Sequence, residues 1–239
     1  MSLQQKIEYN ITNVPPAGKY HVIHPEYNSE SLSKIQLTKA IAKVILLGDS
    51  NVGKTCLASS IVSGEFRENY QPTVGAQFIK CEMTFNNTKL LCQIWDLAGQ
   101  EEYSTVSMHY CRGADIVLFC FSLDEKTSFQ HLNKWKSKLL DATNNYAALF
   151  LVGCKSDLPT SISDEEIKTF CQSNEMEYFV TSSKNKSNTK ELMRRVGFYA
   201  ALHVQQKKES LNKPKITIDS EVTPEGEATT EKSQKKGCC

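Results

Sequence analysis

Residues 48–55 read GDSNVGKT, and this stretch contains a recognisable motif. It matches the pattern G-x-x-x-x-G-K-[ST], it follows an apolar run typical of a strand, and it precedes a segment with helical spacing. Gly48 and Gly53 let the backbone turn so that successive N–H groups point towards one phosphate beside a helix N-terminus. Lys54 adds a mobile positive charge for further phosphates, and the hydroxyl of Thr55 suits Mg²⁺. The stretch therefore predicts a phosphate-binding loop between a strand and a helix.

Five apolar runs bounded by polar turns predict strands, and helix-length segments with apolar residues three and four apart lie between them. The runs are IAKVILLG (41–48), KLLCQIWD (89–96), DIVLFCFS (115–122), ALFLVGC (148–154) and EYFVTS (177–182). Continuous apolar runs are typical of parallel strands that are covered on both faces. In FIKCEMTF (78–85), apolar and polar residues alternate, which predicts an edge strand paired with the 89–96 run in a hairpin. The sequence therefore predicts an α/β protein with three layers.

Length and composition indicate one domain with an arm at each end. The 239 residues carry a formal net charge of +1, which gives no argument for nucleic acid as a partner. The first ten residues lack the apolar segment of a secretory signal, and the longest apolar stretch, residues 146–152, is too short to span a bilayer. The nine cysteines are therefore expected to be reduced thiols. We predict an irregular N-terminal arm at 1–40, a domain at 41–206 and a flexible tail at 207–239.

A second motif, WDLAGQ at residues 95–100, stands at the end of the 89–96 run. Asp96 is placed to hold Mg²⁺ through water, and Gly99 can offer its backbone N–H to a γ-phosphate. Gln100 is placed to orient an attacking water molecule. The pattern D-x-x-G-Q is common by itself, but here it stands on a strand predicted to neighbour the phosphate loop. Together the two motifs indicate a site for a nucleoside triphosphate.

With these motifs the chain resembles the Ras superfamily of small GTPases, and within it the Rab family, as a divergent member with an N-terminal extension. The resemblance covers residues 41–206 and the last three residues, and it includes YCRGAD at 110–115. The segment ENYQPTVGAQF at 68–78 resembles the first switch segment of the family. The resemblance implies the P-loop GTPase fold, which has three layers, a six-stranded, mostly parallel sheet with one antiparallel edge strand, and five helices.

The resemblance also assigns roles to individual residues. Phosphate binding is expected of the loop and of two switch residues, namely Gly48, Asp49, Ser50, Asn51, Val52, Gly53, Lys54, Thr55, Thr73 and Gly99. The expected Mg²⁺ ligands are Thr55, Thr73 and Asp96. Catalytic support is expected of Lys54 and Gln100. The guanine-binding residues are expected to be Phe66, Cys154, Lys155, Asp157, Ser182, Ser183 and Lys184.

The segment VGCKSD at 152–157 departs from the family's guanine motif, N-K-x-D, at Cys154. Asp157 keeps two oxygens that can accept from N1–H and the 2-amino group of guanine, a donor pair that adenine lacks. Cysteine is a weaker hydrogen-bonding group than asparagine, so we expect a loss of about 1–3 kcal/mol, or roughly tenfold to a hundredfold in affinity. One hypothesis is a working pocket with faster nucleotide release. A second is a neutral substitution compensated by a neighbour or water, and a third is a redox gate, which requires a lowered thiol pKa.

The resemblance implies a GTPase that binds GTP and GDP with Mg²⁺, hydrolyses GTP slowly without an activator, and acts as a membrane-anchored switch in vesicle trafficking. The implied partners are an exchange factor, a GTPase activator, a dissociation inhibitor, an escort-dependent prenyltransferase and effectors of the switch segments. The terminal GCC implies prenylation of Cys238 and Cys239, and two lipid chains give stable anchoring to the cytoplasmic face of an intracellular membrane, with cycling to the cytosol. The alternative is a nucleotide-binding scaffold that no longer cycles. Cys154 motivates it, as does Leu97, which replaces the family's usual threonine on the surface used by regulators and effectors.

Overall fold

In a computed structural model, the described residues are 9–11, 15–20, 39–66, 72–85, 88–99, 109–142 and 148–212. Their strands join in a seven-stranded sheet. In chain order the strands are β1 (Tyr9–Ile11), β2 (Lys39–Leu47), β3 (Ala76–Phe85), β4 (Thr88–Leu97), β5 (Ile116–Ser122), β6 (Ala148–Cys154) and β7 (Glu177–Val180). The helices are α1 (Lys54–Ser63), α2 (Lys126–Gln130), α3 (Leu132–Ala142), α4 (Asp164–Asn174) and α5 (Thr189–Asn212).

The order of strands across the sheet is β1-β3-β4-β2-β5-β6-β7. β3 and β4 pair antiparallel, from Ala76 opposite Leu97 to Phe85 opposite Thr88. The other neighbouring pairs among the described strands are parallel. The carboxyl ends of β2, β4, β5, β6 and β7 therefore share one edge of the sheet with the start of β3. The predicted α/β fold, with its hairpin-paired antiparallel strand, is confirmed.

Helices cover both faces of the sheet because its central strands bury side chains on both sides. Every residue of β5 is buried, and alternate residues pack in opposite directions. Leu118 belongs to the cluster that contains Leu57 of α1 and Val196 of α5. Phe119 belongs to a second cluster, which contains Trp135 of α3. The continuous apolar run in the sequence reflects this double burial.

The N-terminal arm differs from the expected irregular segment, because Tyr9–Ile11 form a strand parallel to the end of β3. Tyr9 pairs with Met83 and Ile11 with Phe85, so β3 is not the outermost strand at that end. Tyr9 and Ile11 are 3% and 2% exposed, and they belong to the core. A strand of three residues is too short to leave a periodic pattern in the sequence, and contacts with distant residues decide its pairing.

The last helix also extends beyond its predicted end near residue 206. α5 continues to Asn212, so residues 207–212 are helical although they fall in the segment predicted to be flexible. Lysine and glutamate, which are common in this turn, are good helix formers. Nζ of Lys207 also lies 2.5 Å from Oδ1 of Asp115, and this ion pair ties the turn to the start of β5.

Among the residues that the structure describes, no helix combines the length and apolar character that crossing a membrane requires. The cysteines within the described ranges are free thiols, at positions 56, 81, 92, 111, 120, 154 and 171.

Candidate functional site

A cavity of about 260 Å³ opens at the carboxyl edge of the sheet, beside the start of α1. Its lining includes four phosphate-loop residues, Asn51, Gly53, Lys54 and Thr55. It also includes six residues predicted to contact a guanine base, Phe66, Cys154, Lys155, Asp157, Ser183 and Lys184. The structure therefore brings the two predicted halves of a nucleotide site together around one cavity.

The phosphate loop connects the end of β2 to the start of α1. Gly48 has a φ of 142°, and a Cβ at this position would stand 2.0 Å from the carbonyl oxygen of Cys120. Gly53, directly before α1, has a φ of 109°. Both values lie in a region that residues with a Cβ rarely adopt, so the loop takes the turn for which its glycines were singled out.

Lys54 is nearly buried, at 6% exposure, and its ammonium group contacts the loop to which it belongs. Nζ donates to the carbonyl oxygens of Gly48 at 2.8 Å and Asp49 at 2.7 Å. Burial lowers the pKa of Lys54, while the nearby carboxylate of Asp96 raises it. Within the described residues these two carbonyls take two of the three ammonium donors, which leaves the third for a phosphate oxygen in the cavity.

Three oxygen-bearing side chains meet next to Lys54. The hydroxyl oxygens of Thr55 and Thr73 are 2.8 Å apart, Thr55 donates to Oδ2 of Asp96, and Thr73 reaches the same oxygen at 3.5 Å. Asp96 is fully buried, and burial raises its pKa against the opposing effect of the Thr55 hydrogen bond. Its Oδ1 has no hydrogen-bond partner in the described part of the chain. A buried, unpartnered carboxylate oxygen beside two hydroxyls fits the all-oxygen ligand set that Mg²⁺ prefers.

The segment that follows β4 packs directly on the phosphate loop. A Cβ at Gly99 would stand 2.3 Å from backbone atoms of Asp49 and Ser50, so this approach requires glycine. The neighbouring Ala98 donates its N–H to the carbonyl oxygen of Gly75 at 2.8 Å, which links the segment to the start of β3. Gln100 lies outside the described residues, and its role in positioning water stays a prediction.

Ser182 organises the side of the cavity that is predicted to bind the base. Its Oγ donates to Oδ1 of Asp157 at 2.5 Å and accepts from the backbone N–H of Asn185 at 3.1 Å. Ser182 is completely buried, so it can orient the Asp157 carboxylate without lining the cavity itself. Phe66 lines the cavity with 36% of its surface exposed, which suits an aromatic ring that stacks on a base.

Cys154 joins the two halves of the site. It is 4% exposed, and a Cβ built on Gly53 would stand 3.4 Å from the Cβ of Cys154, so the side chain lies against the phosphate loop. Its Sγ donates to the carbonyl oxygen of Val152 over 3.9 Å, a weak contact for a thiol. A hydrogen bond from the Cys120 thiol lowers the pKa of Cys154 against the opposing effect of burial. The low exposure gives an oxidant little access, which argues against a redox gate.

A partly exposed aromatic cluster near the site was not identified from the sequence. It consists of Phe78, Trp95 and Tyr110, whose ring centroids lie 5.2 Å apart for the first pair and 5.3 Å for the second. Phe78 is 40% exposed, and Val74, four residues earlier, is 77% exposed. The available signal was Phe78 itself, since it occupies the otherwise polar face of the alternating β3 pattern.

Comparison with known proteins agrees with this geometry. The sequence model of the Ras family matches residues 43–199. Ras-related protein RabL of Dictyostelium discoideum is 37% identical over 164 residues, which cover 64% of this chain and 80% of that protein. Ras-related protein Rab-7a of the same organism is 31% identical over 209 residues, covering 84% of this chain and 98% of the relative. Ras-related protein Rab7 of Drosophila melanogaster is 32% identical over 191 residues, covering 77% and 92%.

Proposed function

The chain belongs to the Rab family of the Ras superfamily of small GTPases, and we propose that its cavity binds GTP and GDP together with Mg²⁺. The observation that carries the proposal is that Lys54 and Asp157 line the same cavity as Thr55, which is hydrogen-bonded to Asp96. A guanine nucleotide site needs three parts, and all three are present here: the buried ammonium group of Lys54, oxygen ligands suited to Mg²⁺, and the Asp157 carboxylate, which can accept hydrogen bonds from a base. The Rab relatives support a GTPase of vesicle trafficking.

Asp157 supports selectivity for guanine over adenine. The N1–H and 2-amino groups of guanine can both donate to its carboxylate, whereas adenine offers no such pair of donors. Binding of ATP would leave the Asp157 carboxylate without the two donors that guanine supplies, at a cost of roughly 1–3 kcal/mol or more. Ser182 holds one carboxylate oxygen of Asp157 in place, so this side chain loses less conformational freedom when the base binds.

In this proposal, hydrolysis is an in-line attack of water on the γ-phosphate. The ammonium of Lys54 binds phosphate oxygens, and Gln100 orients the water. Mg²⁺, when held by Thr55, Thr73 and Asp96, supplies positive charge that stabilises the phosphate oxygens. The phosphate loop contains no arginine that could add further charge. We therefore expect slow unaided turnover, on the order of 10⁻⁴ to 10⁻³ per second, and a need for an activator.

Two short segments connect the site to the partly exposed aromatic cluster, which we propose as the surface for effectors and regulators. One segment leads from Thr73 into β3, which carries Phe78, and the other leads from Trp95 on β4 to Gly99. The hydrogen bond between Ala98 and Gly75 holds the two segments together. A change at the γ-phosphate would therefore move the borders of this apolar surface.

Anchoring to the cytoplasmic face of an intracellular membrane is the remaining part of the proposal. Cys238 and Cys239 lie outside the described residues, and the support for their prenylation is the terminal GCC behind a Rab domain. Two lipid chains bind stably where one is marginal. The lipidated full-length chain is expected to sediment with membranes, and deletion of both cysteines should leave it in the supernatant. Equal sedimentation of the two chains would contradict the anchor.

Equilibrium binding of GDP, GTP and ATP to the full chain with Mg²⁺ tests the nucleotide site. The full chain is needed because Tyr9 and Ile11 belong to the core. We expect tight binding of GDP and GTP without ATP binding, and a loss of roughly a hundredfold or more in Lys54→Met, since the buried charge on the phosphates is removed. Equal affinities for GTP and ATP would overturn the role of Asp157.

Single-turnover GTP hydrolysis separates a cycling switch from a scaffold that no longer cycles. A switch converts bound GTP to GDP, and Gln100→Leu should slow the reaction at unchanged GTP affinity. Equal and undetectable rates in both chains, with candidate activators present, would favour the scaffold.

A further inference from the structure

Residues 9–11 and 15–20, here called the N-terminal strap, contact the two elements that lead into the base-binding side of the cavity. One element is α1, which ends shortly before Phe66. The other is β7, which ends directly before the segment containing Ser182 and Ser183. The strap lies outside the residues matched by the Ras family model, which begins at position 43.

The first contact is made by Tyr9 at the end of α1. Its hydroxyl donates to the carbonyl oxygen of Ile61 at 2.7 Å, and Tyr9 is 3% exposed. The last carbonyl groups of a helix have no partner within the helix, so this hydroxyl satisfies one of them. The chain leaves the helix through Gly64 and reaches Phe66 two residues later. Tyr9 therefore fixes the end of the helix from which Phe66 extends.

The second contact is made by residues 18–20 along the outer edge of β7. The backbone N–H of Gly18 donates to Oε1 of Glu177 at 2.6 Å, and the N–H of Tyr178 donates to the carbonyl oxygen of Lys19 at 3.0 Å. The ring of Tyr20 stacks on that of Tyr178, with the planes 4° apart and the centroids 6.1 Å apart. β7 is consequently held by β6 on one side and by the strap on the other.

Between these two contacts the strap closes over a buried ion pair. Nε of Arg195 lies 3.0 Å from Oε1 of Glu177, and both side chains are about one-twentieth exposed. Nη1 of Arg195 donates to the carbonyl oxygen of Pro15 at 3.1 Å. A buried guanidinium needs partners for its donors, so the strap is part of what keeps this pair stable.

Backbone hydrogen bonds connect the end of β7 to the residues that we propose bind the base. The N–H of Thr181 donates to the carbonyl oxygen of Gly153 at 2.7 Å, and the carbonyl oxygen of Thr181 accepts from the N–H of Ser156 at 3.1 Å. The next residue, Ser182, holds Asp157. A displacement of β7 would therefore move the carboxylate that reads the base.

We propose that the strap positions the base-binding side of the cavity and thereby slows release of the guanine nucleotide, with Tyr9 and Gly18 as positioning residues. This inference rests on the proposed nucleotide binding. Release of a bound nucleotide requires the groups around its base to move apart. Because the strap contacts α1 and β7, we expect these two elements to move apart less often. The phosphate side has its own supports in Lys54, Thr55 and Asp96, so the effect should be confined to the base side.

Gly18→Ala and Tyr9→Phe in the full-length chain test the proposal by the rate of GDP release. A Cβ at Gly18 would stand 2.3 Å from the carbonyl oxygen of Tyr178 and 2.8 Å from the ring of Phe179, so alanine pushes the strap away from β7. Tyr9→Phe removes only the hydroxyl group at Ile61. Ala17→Ser, at an exposed neighbouring position, is the matched control. Hydrogen exchange at the Tyr178 amide reports directly whether the strap has left β7.

We expect GDP release to accelerate roughly threefold to tenfold in each variant, the factor that loss of one or two hydrogen bonds produces. The rate of single-turnover hydrolysis of bound GTP should stay within about twofold of wild type. General destabilisation of the protein would change both rates, whereas the proposal predicts a change in GDP release alone. Unchanged release in Gly18→Ala with faster exchange at Tyr178 overturns the proposal. If that variant does not fold, unchanged release in Tyr9→Phe overturns it equally. Absence of GDP binding by the wild-type chain overturns the proposed function itself, and the inference with it.

Discussion

Nε1 of Trp135 donates a hydrogen bond of 2.7 Å to Oδ1 of Asp49, and so connects α3 to the phosphate loop. Nδ1 of His131 lies 2.6 Å from the other oxygen of the same carboxylate. The backbone carbonyl of Asp49 meanwhile accepts from Nζ of Lys54. One loop residue is thus held by its side chain from outside the cavity and by its backbone from within, which restricts where the Lys54 ammonium can stand.

Trp135→Phe is expected to lower the free energy of unfolding by about 1–2 kcal/mol, because it removes a donor from a charged acceptor that is one-quarter exposed. Urea denaturation at a fixed GDP concentration measures this loss. Asp49→Asn is the matched control, since its amide oxygen still accepts from the indole N–H, and it should remain closer to wild type. A double-mutant cycle of Trp135→Phe with Asp49→Ala isolates the pair from the change in ring size. A coupling energy of zero would contradict a stabilising hydrogen bond between Trp135 and Asp49.

Asp96→Asn is expected to abolish the response of nucleotide release to Mg²⁺. The carboxylate is buried, one of its oxygens has no hydrogen-bond partner among the described residues, and the amide removes the charge while keeping the shape. In the wild-type chain a chelator should accelerate GDP release by roughly tenfold or more, about 1.4 kcal/mol of lost metal contact. The variant should release GDP rapidly with or without the chelator. Asp141→Asn, at an exposed position of α3, should respond like wild type.

Cys154→Asn tests whether the cysteine tunes release or is neutral. Cys154 packs against Gly53, and its thiol donates only weakly, to the carbonyl oxygen of Val152 at 3.9 Å, so an amide in its place could bond to both halves of the site. The faster-release hypothesis predicts that asparagine slows GDP release by roughly tenfold to a hundredfold. Cys154→Ala is the comparison, because it removes the thiol without adding an amide. Equal release from wild type and Cys154→Asn would support the neutral reading.

Local sequence patterns were sufficient to predict the central strands and to single out most of the residues that line the cavity. The run at β5 reflected burial on both faces, and the glycines of the phosphate loop occupy the left-handed conformations that their positions required. Lys54 and Asp157 followed from motif chemistry, and both line the cavity. These features are encoded by residue type at fixed spacing, so no knowledge of distant contacts was needed.

Contacts between residues far apart in sequence could not be predicted in this way. Tyr9 bonds to a residue 52 positions away, and Asp49 to one 86 positions away. The local sequence around Tyr9 or Trp135 does not indicate these contacts, because a tyrosine in a polar arm and a tryptophan on a helix can make many other contacts. The strap was therefore predicted to be irregular, although its pairing with β3 and β7 is specific.

Glu166 gives a pH-dependent test of the cap at the start of α4. Hydrogen bonds from Lys126 and Ser163 lower its pKa from an ordinary 4.5 to about 2. Ser163 and Glu166 form a reciprocal capping box, in which each side chain accepts from the other's backbone N–H. A carboxyl group with a lowered pKa contributes stability above its unfolded value and loses it as the pH falls through its folded value. Glu166→Gln should therefore be less stable than wild type at pH 7, and the difference should shrink as the pH falls from 4.5 towards 2, measured by urea denaturation across that range. Glu165→Gln, which alters the adjacent exposed carboxylate outside the capping box, should lose less stability than Glu166→Gln. A loss of stability in Glu166→Gln that does not depend on pH would contradict the role of the Glu166 charge.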